Sequence, residues 1–339
     1  MNVIGDFTMI SINRFKLQES LLKTGRYFKF ICGAGNEDPD EVYKLSLVYT
    51  LAGAKGIDIS ATAEIVESAV NAINDAEKLL GKFHIDNYLR PYITVSVGMP
   101  GDHHVRKARI ISNKCTVCNA CIPVCPTEAI PNSLLIIEDR CIGCGACGVA
   151  CQDDAIGYKH KQVELKKVLF ECIDAGAENI ELHASVPDHD HTLKEWNVLN
   201  EMLPEGFLSI CLDRAYLSNH DLKKRIKLLL ELSPNRMIVQ ADGIPMSGGR
   251  DDYNTTLQAI ATADTIAKFN LPVHILLSGG TNSKSIELSK MSGVPFAGVS
   301  IGTFARHLVY DYINDPKFPD MEVLEPAVIK AKKLVSTCI

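Results

Sequence analysis

The chain of 339 residues carries a formal net charge of -6 at pH 7 and is 46% apolar, which suits a globular protein with a sizeable core. A mildly acidic balance with no basic run excludes nucleic acid and anionic membrane surfaces as standing partners. No stretch reaches the roughly 20 apolar residues of a membrane span, and the opening MNVIGDFTMISINRFKLQES has no signal-peptide pattern, so the cytoplasm is the expected compartment.

Residues 1–24 read as an N-terminal segment. From residue 25 the chain repeats one unit: a short β-branched apolar run, a polar turn, then an amphipathic helix closing on Gly, Asn or Pro. The first strand is RYFKFICGA from Arg26, with a helix over 38–54; GIDIS from Gly56 follows, with a helix over 62–81, and then YITVSVGM from Tyr92. After a cysteine-rich block come a helix over 161–177, NIELHAS from Asn179, a helix over 191–203, FLSICLD from Phe207 and a helix over 220–232. RMIVQADG from Arg236, a helix over 254–270, VHILLSGG from Val273, a helix over 283–293 and FAGVSIGT from Phe296 complete the series, with a closing helical segment after Arg306. Eight strands alternating with helices predict an α/β fold, a (β/α)8 barrel of the TIM type spanning 25–110 and 161–310. An open doubly wound sheet is the alternative, because alternation does not show closure. Residues 311–339 read as a tail ending in the helix PAVIKAKKLV.

The block at 111–160 interrupts the alternation after the third strand and before the third helix. It would therefore be an inserted ferredoxin-like module at the C-terminal face, where barrel active sites lie. Its two runs, CTVCNACIPVC from Cys115 and CIGCGACGVAC from Cys141, each set three cysteines at two-residue gaps and a fourth after a three-residue gap. Two 4Fe-4S clusters are the expected cofactors, since a cubane needs three thiolates from a tight loop and one from a distance. In the crossed arrangement Cys115, Cys118, Cys121 and Cys151 hold one cluster, and Cys141, Cys144, Cys147 and Cys125 the other. Gly143, Gly145 and Gly148 let the second loop wrap; Pro126 follows Cys125 as such runs expect, whereas Gln152 follows Cys151. Zinc is the competing occupant, but its sites use two separated pairs. Cys32, Cys172, Cys211 and Cys338 are expected as buried small hydrophobes.

The loops after the seventh and eighth strands, LLSGGTNSKS and GVSIGTFARHL, carry the pattern of a barrel phosphate site. Gly279, Gly280, Thr281, Asn282, Gly302 and Thr303 would form the cradle, with Arg306 as charge partner, for FMN or another phosphate-bearing ligand; the glycines could equally serve as turns. Lys29, Asp58, Glu181, His183, Asp213, Arg214, Gln240 and Asp242 fall at strand ends and would ring the mouth, for catalysis or merely in pairs such as Lys29 with Asp58 and Asp213 with Arg214. In the loop DGIPMSGG and beyond it, Arg250 could clamp an anion. His103, His104 and DHDHT from Asp188 are read as solvent-facing or helix-capping, not as metal ligands. There is no nucleophile elbow, P-loop or dinucleotide fingerprint.

With these residues in view the chain resembles the cyanobacterial light-dependent-period (LdpA) iron-sulfur family. The likeness rests on GRYFKFICGAGNEDPDEVYKLSLVYTLAGAKGIDISA, HHVRKARI, QADGIPMSGG, LSGGTNSKSI and FAGVSIGTFARHLV. It implies a redox protein that senses or relays cellular redox state, with input to the circadian clock, and partners among redox proteins or electron donors and clock or signalling proteins. The competing reading is an iron-sulfur oxidoreductase passing electrons to a flavin or substrate at the barrel mouth; a third makes the barrel a scaffold with the clusters as staples.

Overall fold

The computed structural model describes residues 4–99, 102, 106–160, 164–244 and 250–338. Eight strands, β1 (Tyr27–Ile31), β2 (Gly56–Ser60), β3 (Tyr92–Gly98), β6 (Asn179–His183), β7 (Leu208–Leu212), β8 (Met237–Asp242), β9 (His274–Ser278) and β10 (Gly298–Ile301), pair in parallel. They close in the order β1-β10-β9-β8-β7-β6-β3-β2, so the barrel holds and the open sheet does not. Closure depends on β1 meeting β10, with Tyr27 opposite Gly298. A Cβ at Gly298 would run into the Tyr27 carbonyl, so glycine is what lets the last strand reach the first.

The outer helices are α2 (Pro39–Leu51), α3 (Ala63–Leu79), α5 (Leu165–Ala175), α6 (His189–Met202), α7 (Asn219–Leu232), α8 (Leu257–Ala267), α9 (Ser285–Met291), α10 (Thr303–Ile313) and α11 (Met321–Val335). Their local signals are those of isolated helices. Asp38 caps α2 through the Glu41 amide with Pro39 in the first turn, Asp188 caps α6 through the His191 amide, and Ser218 caps α7 through the Asp221 amide, each satisfying an orphan donor. In α3, Ile65, Val66, Ala69, Ala72, Ile73 and Ala76 make the buried stripe. The outward strand residues, among them Phe28, Phe30, Ile57, Ile59, Val95, Ile180, Ile210, Val239 and Val299, pack beneath these helices in the main core, each contributing about 1.5–3 kcal/mol of burial.

The N-terminal segment is a helix, α1 (Ile4–Lys23). Phe15, Leu21 and Leu22 pack on Tyr27, Tyr92, Phe207, Ile238 and Leu276, residues at the N-terminal ends of strands, and Phe15 stacks on Phe207 at 4.5 Å between ring centroids. Arg14 pairs with Glu178, and Gln18 donates to the Tyr27 hydroxyl at 3.0 Å. One end of the barrel is thus stoppered, which leaves the C-terminal mouth as the open end.

Between β3 and α5 the chain leaves the barrel. Strands β4 (Arg106–Ile110) and β5 (Ile156–His160) pair only with each other, antiparallel, so residues 106–110 belong to the inserted module's sheet and to no barrel strand. A short helix, α4 (Ala146–Ala150), lies between them. His103, His104 and residues 161–163 and 245–249, the last in the DGIPMSGG loop, lie outside the described residues. Among the described residues no helix is long and apolar enough to cross a membrane.

Candidate functional site

The module is built from two copies of one motif. A shift of 26 residues superimposes Cys115, Cys118, Cys121 and Cys125 on Cys141, Cys144, Cys147 and Cys151. It also superimposes Ile110 on Ile136, Ala120 on Ala146 and Ala129 on Ala155. The backbone repeats with it: left-handed φ values recur at Val117 and Gly143 (60° and 69°), Asn119 and Gly145 (62° and 85°), and Glu128 and Asp154 (49° and 48°). The Ala129 amide donates to Cys125 Sγ and the Ala155 amide to Cys151 Sγ, both at 3.3 Å. Such N–H···S bonds stabilise thiolate over thiol.

The cysteines gather in two sets of four across the copies. Cys121 lies within electrostatic reach of Cys115, Cys118 and Cys151, and Cys147 within reach of Cys144, Cys141 and Cys125. Burial, and then the neighbouring Cys144 thiolate, pushes the Cys147 thiol up to about 11. Four thiolates gathered so closely repel one another and call for a cationic core, which is what the donor chemistry of an iron-sulfur cluster supplies.

The two sets sit differently. Cys118 is exposed and Cys115, Cys121 and Cys151 are half-buried, whereas Cys141 and Cys147 are buried. The second copy is docked on the loop between β1 and α2. The buried Lys107 donates to the carbonyls of Gly35 and Glu138 at 2.5 and 2.7 Å, the Glu37 amide donates to the Asp139 carbonyl at 2.7 Å, and Arg140 pairs with Asp38 at 3.1 Å. Arg106 lies over the Tyr158 ring at 3.8 Å and donates to the Gly143 carbonyl at 3.2 Å, which puts a positive charge beside the second set. Ile142, between Cys141 and Gly143, reaches the barrel and lines the mouth with Ile31, Gly33 and Ala34.

Beneath Ile142 the barrel interior is polar. Lys29 Nζ holds Asp58 Oδ2 at 2.6 Å and also bonds Glu181 Oε2, while Ser96 donates to Asp58 at 2.6 Å. Gln240 donates to Glu181 Oε2 at 2.7 Å and accepts from Ser300 at 2.9 Å. Cys211 Sγ donates to Glu181 Oε1 at 3.0 Å. Burial, followed by the Glu181 charge, pushes the Asp58 carboxyl up to about 7. Burial works against the Glu181 carboxylate too, but the Lys29 ammonium outweighs it and draws Glu181 down to about 2.

Of the expected mouth ring, Asp58, Glu181, His183 and Asp242 line the cavity, and Lys29 and Gln240 stand behind them. Asp213 is buried and accepts from the Ala215 amide at 2.7 Å, while Arg214 is exposed. Of the expected cradle, Gly279, Thr281, Gly302 and Thr303 line the cavity. Gly279 and Gly280 are left-handed at φ 59° and 75°. Thr281 donates to the Ser300 carbonyl at 2.5 Å. The Asn282 amide nitrogen is taken by the carbonyls of Arg250 and Asp252 at 2.8 and 2.7 Å. The buried Arg306 donates to the Cys32 carbonyl and pairs with Glu41 at 3.4 Å; Gly280, Asn282 and Arg306 do not appear in the cavity wall. The Arg250 side chain is exposed. The cavity measures about 100 Å³, below the roughly 300 Å³ at which pockets for cofactor-sized ligands begin.

Residues 108–130 and 134–157 each match the 4Fe-4S binding domain, and residues 172–337 match the Light dependent period A C-terminal domain. The curated protein Light dependent period A of Synechococcus elongatus is 31% identical over 321 residues, covering 92% of this chain and 86% of that one. The chain belongs to the light-dependent period A family. It is an iron-sulfur protein, and the two matched stretches are the two copies of the 26-residue repeat. Similar solved structures include the aldolase QR15 (TM-score 0.47, 11% identity, 84% of this chain and 97% of that one) and the YdjI aldolase of Escherichia coli K12 (TM-score 0.46, 8% identity, 93% and 90%).

Two residues of the mouth in this family member escape a reading of its sequence. Cys211, expected as a buried hydrophobe, faces the mouth beside Glu181 and His183; its signal was the alternation Ser209, Cys211, Asp213, which puts it on the polar face of its strand. Ile142, a spacer within a cysteine run, is part of the mouth's wall. Cys32, Cys172 and Cys338 are buried as expected, and DHDHT does supply a helix cap.

Proposed function

We propose that the protein carries two 4Fe-4S clusters and relays electrons between a partner at its surface and the barrel mouth, so reporting cellular redox state. Cys115, Cys118, Cys121 and Cys151 would hold the outer cluster, and Cys141, Cys144, Cys147 and Cys125 the inner one. Clusters so held supply one-electron transfer. The protein's own residues set direction. Val117 and Val124 of the first copy, exposed by 62 and 40%, and Leu135 at the start of the second, exposed by 75% and lying beside Val117, give the module an apolar face suited to a docking partner. The observation that carries the reading is Ile142, which joins the second cysteine loop to the mouth cavity. Lys107 and Arg140 fix that loop on the barrel, and Arg106 places charge beside it. Family membership extends the reading to clock or signalling proteins as receivers of the redox state, in the cytoplasm.

A second reading, an oxidoreductase acting at the mouth, is favoured by Gly279, Thr281, Gly302 and Thr303 on the cavity wall. The cavity's size and its carboxylates favour a small ligand over FMN.

Anaerobic purification with iron and sulfide quantitation, a reductive titration followed by EPR, and release of bound ligand by denaturation test both. About eight irons per chain, with two interacting paramagnetic centres and no organic ligand, is the relay's expected result. A released flavin or other phosphate compound would replace it with the oxidoreductase, and four irons or fewer with one centre would overturn it.

A further inference from the structure

The mouth holds three donor atoms of different kinds at close quarters. Glu181 and His183 lie two residues apart on β6 and so share a face, and Cys211 on β7 is the register partner of His183. Glu181 Oε1 is 3.0 Å from Cys211 Sγ and 3.7 Å from His183 Nε2, and Cys211 Sγ is 3.9 Å from His183 Nε2. A tetrahedral ion bound at about 2.0–2.3 Å to O, N and S needs edges of about 3.3–3.6 Å. Each observed separation is within about half an ångström of that. All three residues are buried, and all three border the cavity.

The surroundings suit a cation. Glu181 Oε2 is engaged by Lys29 and Gln240, which leaves Oε1 as the atom facing Cys211 and His183, and Gln240 is itself fixed by Ser300. Metal carboxylates are commonly oriented by such outer contacts. Among the described residues, the carboxyl groups of Asp58, Glu181 and Asp242 stand in the cavity wall with the ammonium of Lys29 behind them.

We propose that Glu181, His183 and Cys211 form a mononuclear site for a divalent transition ion of the zinc class, with its fourth position open to the barrel mouth. On binding, the Cys211 S–H bond breaks and its proton goes to solvent, while bonds form to Cys211 Sγ, His183 Nε2 and Glu181 Oε1. Carboxylate and thiolate balance the dication, and no electron moves. The site shares no residue with the cluster cysteines and does not depend on the relay reading.

The test uses the full chain, prepared without oxygen with its clusters in place, freed of loose metal with EDTA and equilibrated with Zn²⁺. Bound zinc is counted and its K-edge absorption fine structure recorded. One zinc per chain with a single sulfur at about 2.3 Å and nitrogen or oxygen at about 2.0 Å is expected. Cys211→Ser and His183→Gln should each weaken zinc binding at least tenfold while leaving the cluster absorbance in place. No retained zinc, a shell of four sulfurs, a shell of nitrogen and oxygen alone, or unchanged binding in the folded variants would overturn the proposal. Should Cys211→Ser fail to fold, the single-sulfur shell of the unsubstituted protein and the His183→Gln titration still decide it.

Discussion

The two copies of the 26-residue cysteine repeat share ligand spacing, left-handed positions and the amide bond to the last cysteine, yet one faces solvent and the other the barrel. The first copy places Val117 and Asn119 where the second has Gly143 and Gly145. A side chain is tolerated at the first pair because it projects into open surroundings. At Gly145 (φ 85°) a Cβ would come within 2.8 Å of Nη2 of Arg106 in the module's own strand β4, so glycine there serves both the left-handed backbone and the guanidinium packed beside it. The same four-cysteine motif thus takes on its role from what it is packed against.

The largest test of that contrast is removal of one ligand from each set. Cys147→Ala and Cys118→Ala should each cost about half the iron, but only Cys147→Ala should also expose the mouth, read as faster proteolysis of the segment around Gly33–Glu37. Next in size, an iron chelator such as bathophenanthroline should extract iron in two phases at least tenfold apart in rate, and Cys118→Ala should remove the fast one. A single phase in the intact protein would erase the functional distinction between the copies.

Lys107→Met addresses the docking itself. It leaves the Gly35 and Glu138 carbonyls without their ammonium donor, a loss of about 1.5–3 kcal/mol, seen as faster amide exchange at Asp139–Cys141 and in the loop before α2. The smallest effect is expected from Val117→Gly. Relief of a β-branched residue from left-handed backbone is worth about 1–2 kcal/mol and is partly offset by about 0.5–1 kcal/mol of added unfolded-state entropy. A gain of about 0.5–1 kcal/mol in denaturant unfolding should result.

How much of this could be read beforehand follows from the range of the interactions. The eight strands and the cap of α6 are written in adjacent residues, and so were visible. Closure is not, because it rests on Gly298 meeting Tyr27 across the whole chain. Helix α1 carries too weak an apolar pattern to announce itself, and its meaning comes only from the strand ends it covers. The two 4Fe-4S binding stretches were legible because the spacing of their cysteines is their chemistry. Cys211 was hidden because a thiol passes for an apolar residue, so the alternation of Ser209, Cys211 and Asp213 gains its meaning only when His183 is placed opposite it. Arg306 looked like an anion partner from its position after Gly302; in the fold its guanidinium serves the Cys32 carbonyl and Glu41.

The antiparallel pairing of β4 with β5 has a further consequence for how such a protein is made. Arg106 stands opposite His160, so the chain departs from the barrel and returns to it side by side, while the barrel strands on either flank, β3 and β6, are bonded directly to each other. The barrel's hydrogen bonding is therefore continuous across the insertion and closes without any strand of the cysteine module. Loading of the proposed clusters would then be free to follow formation of the barrel.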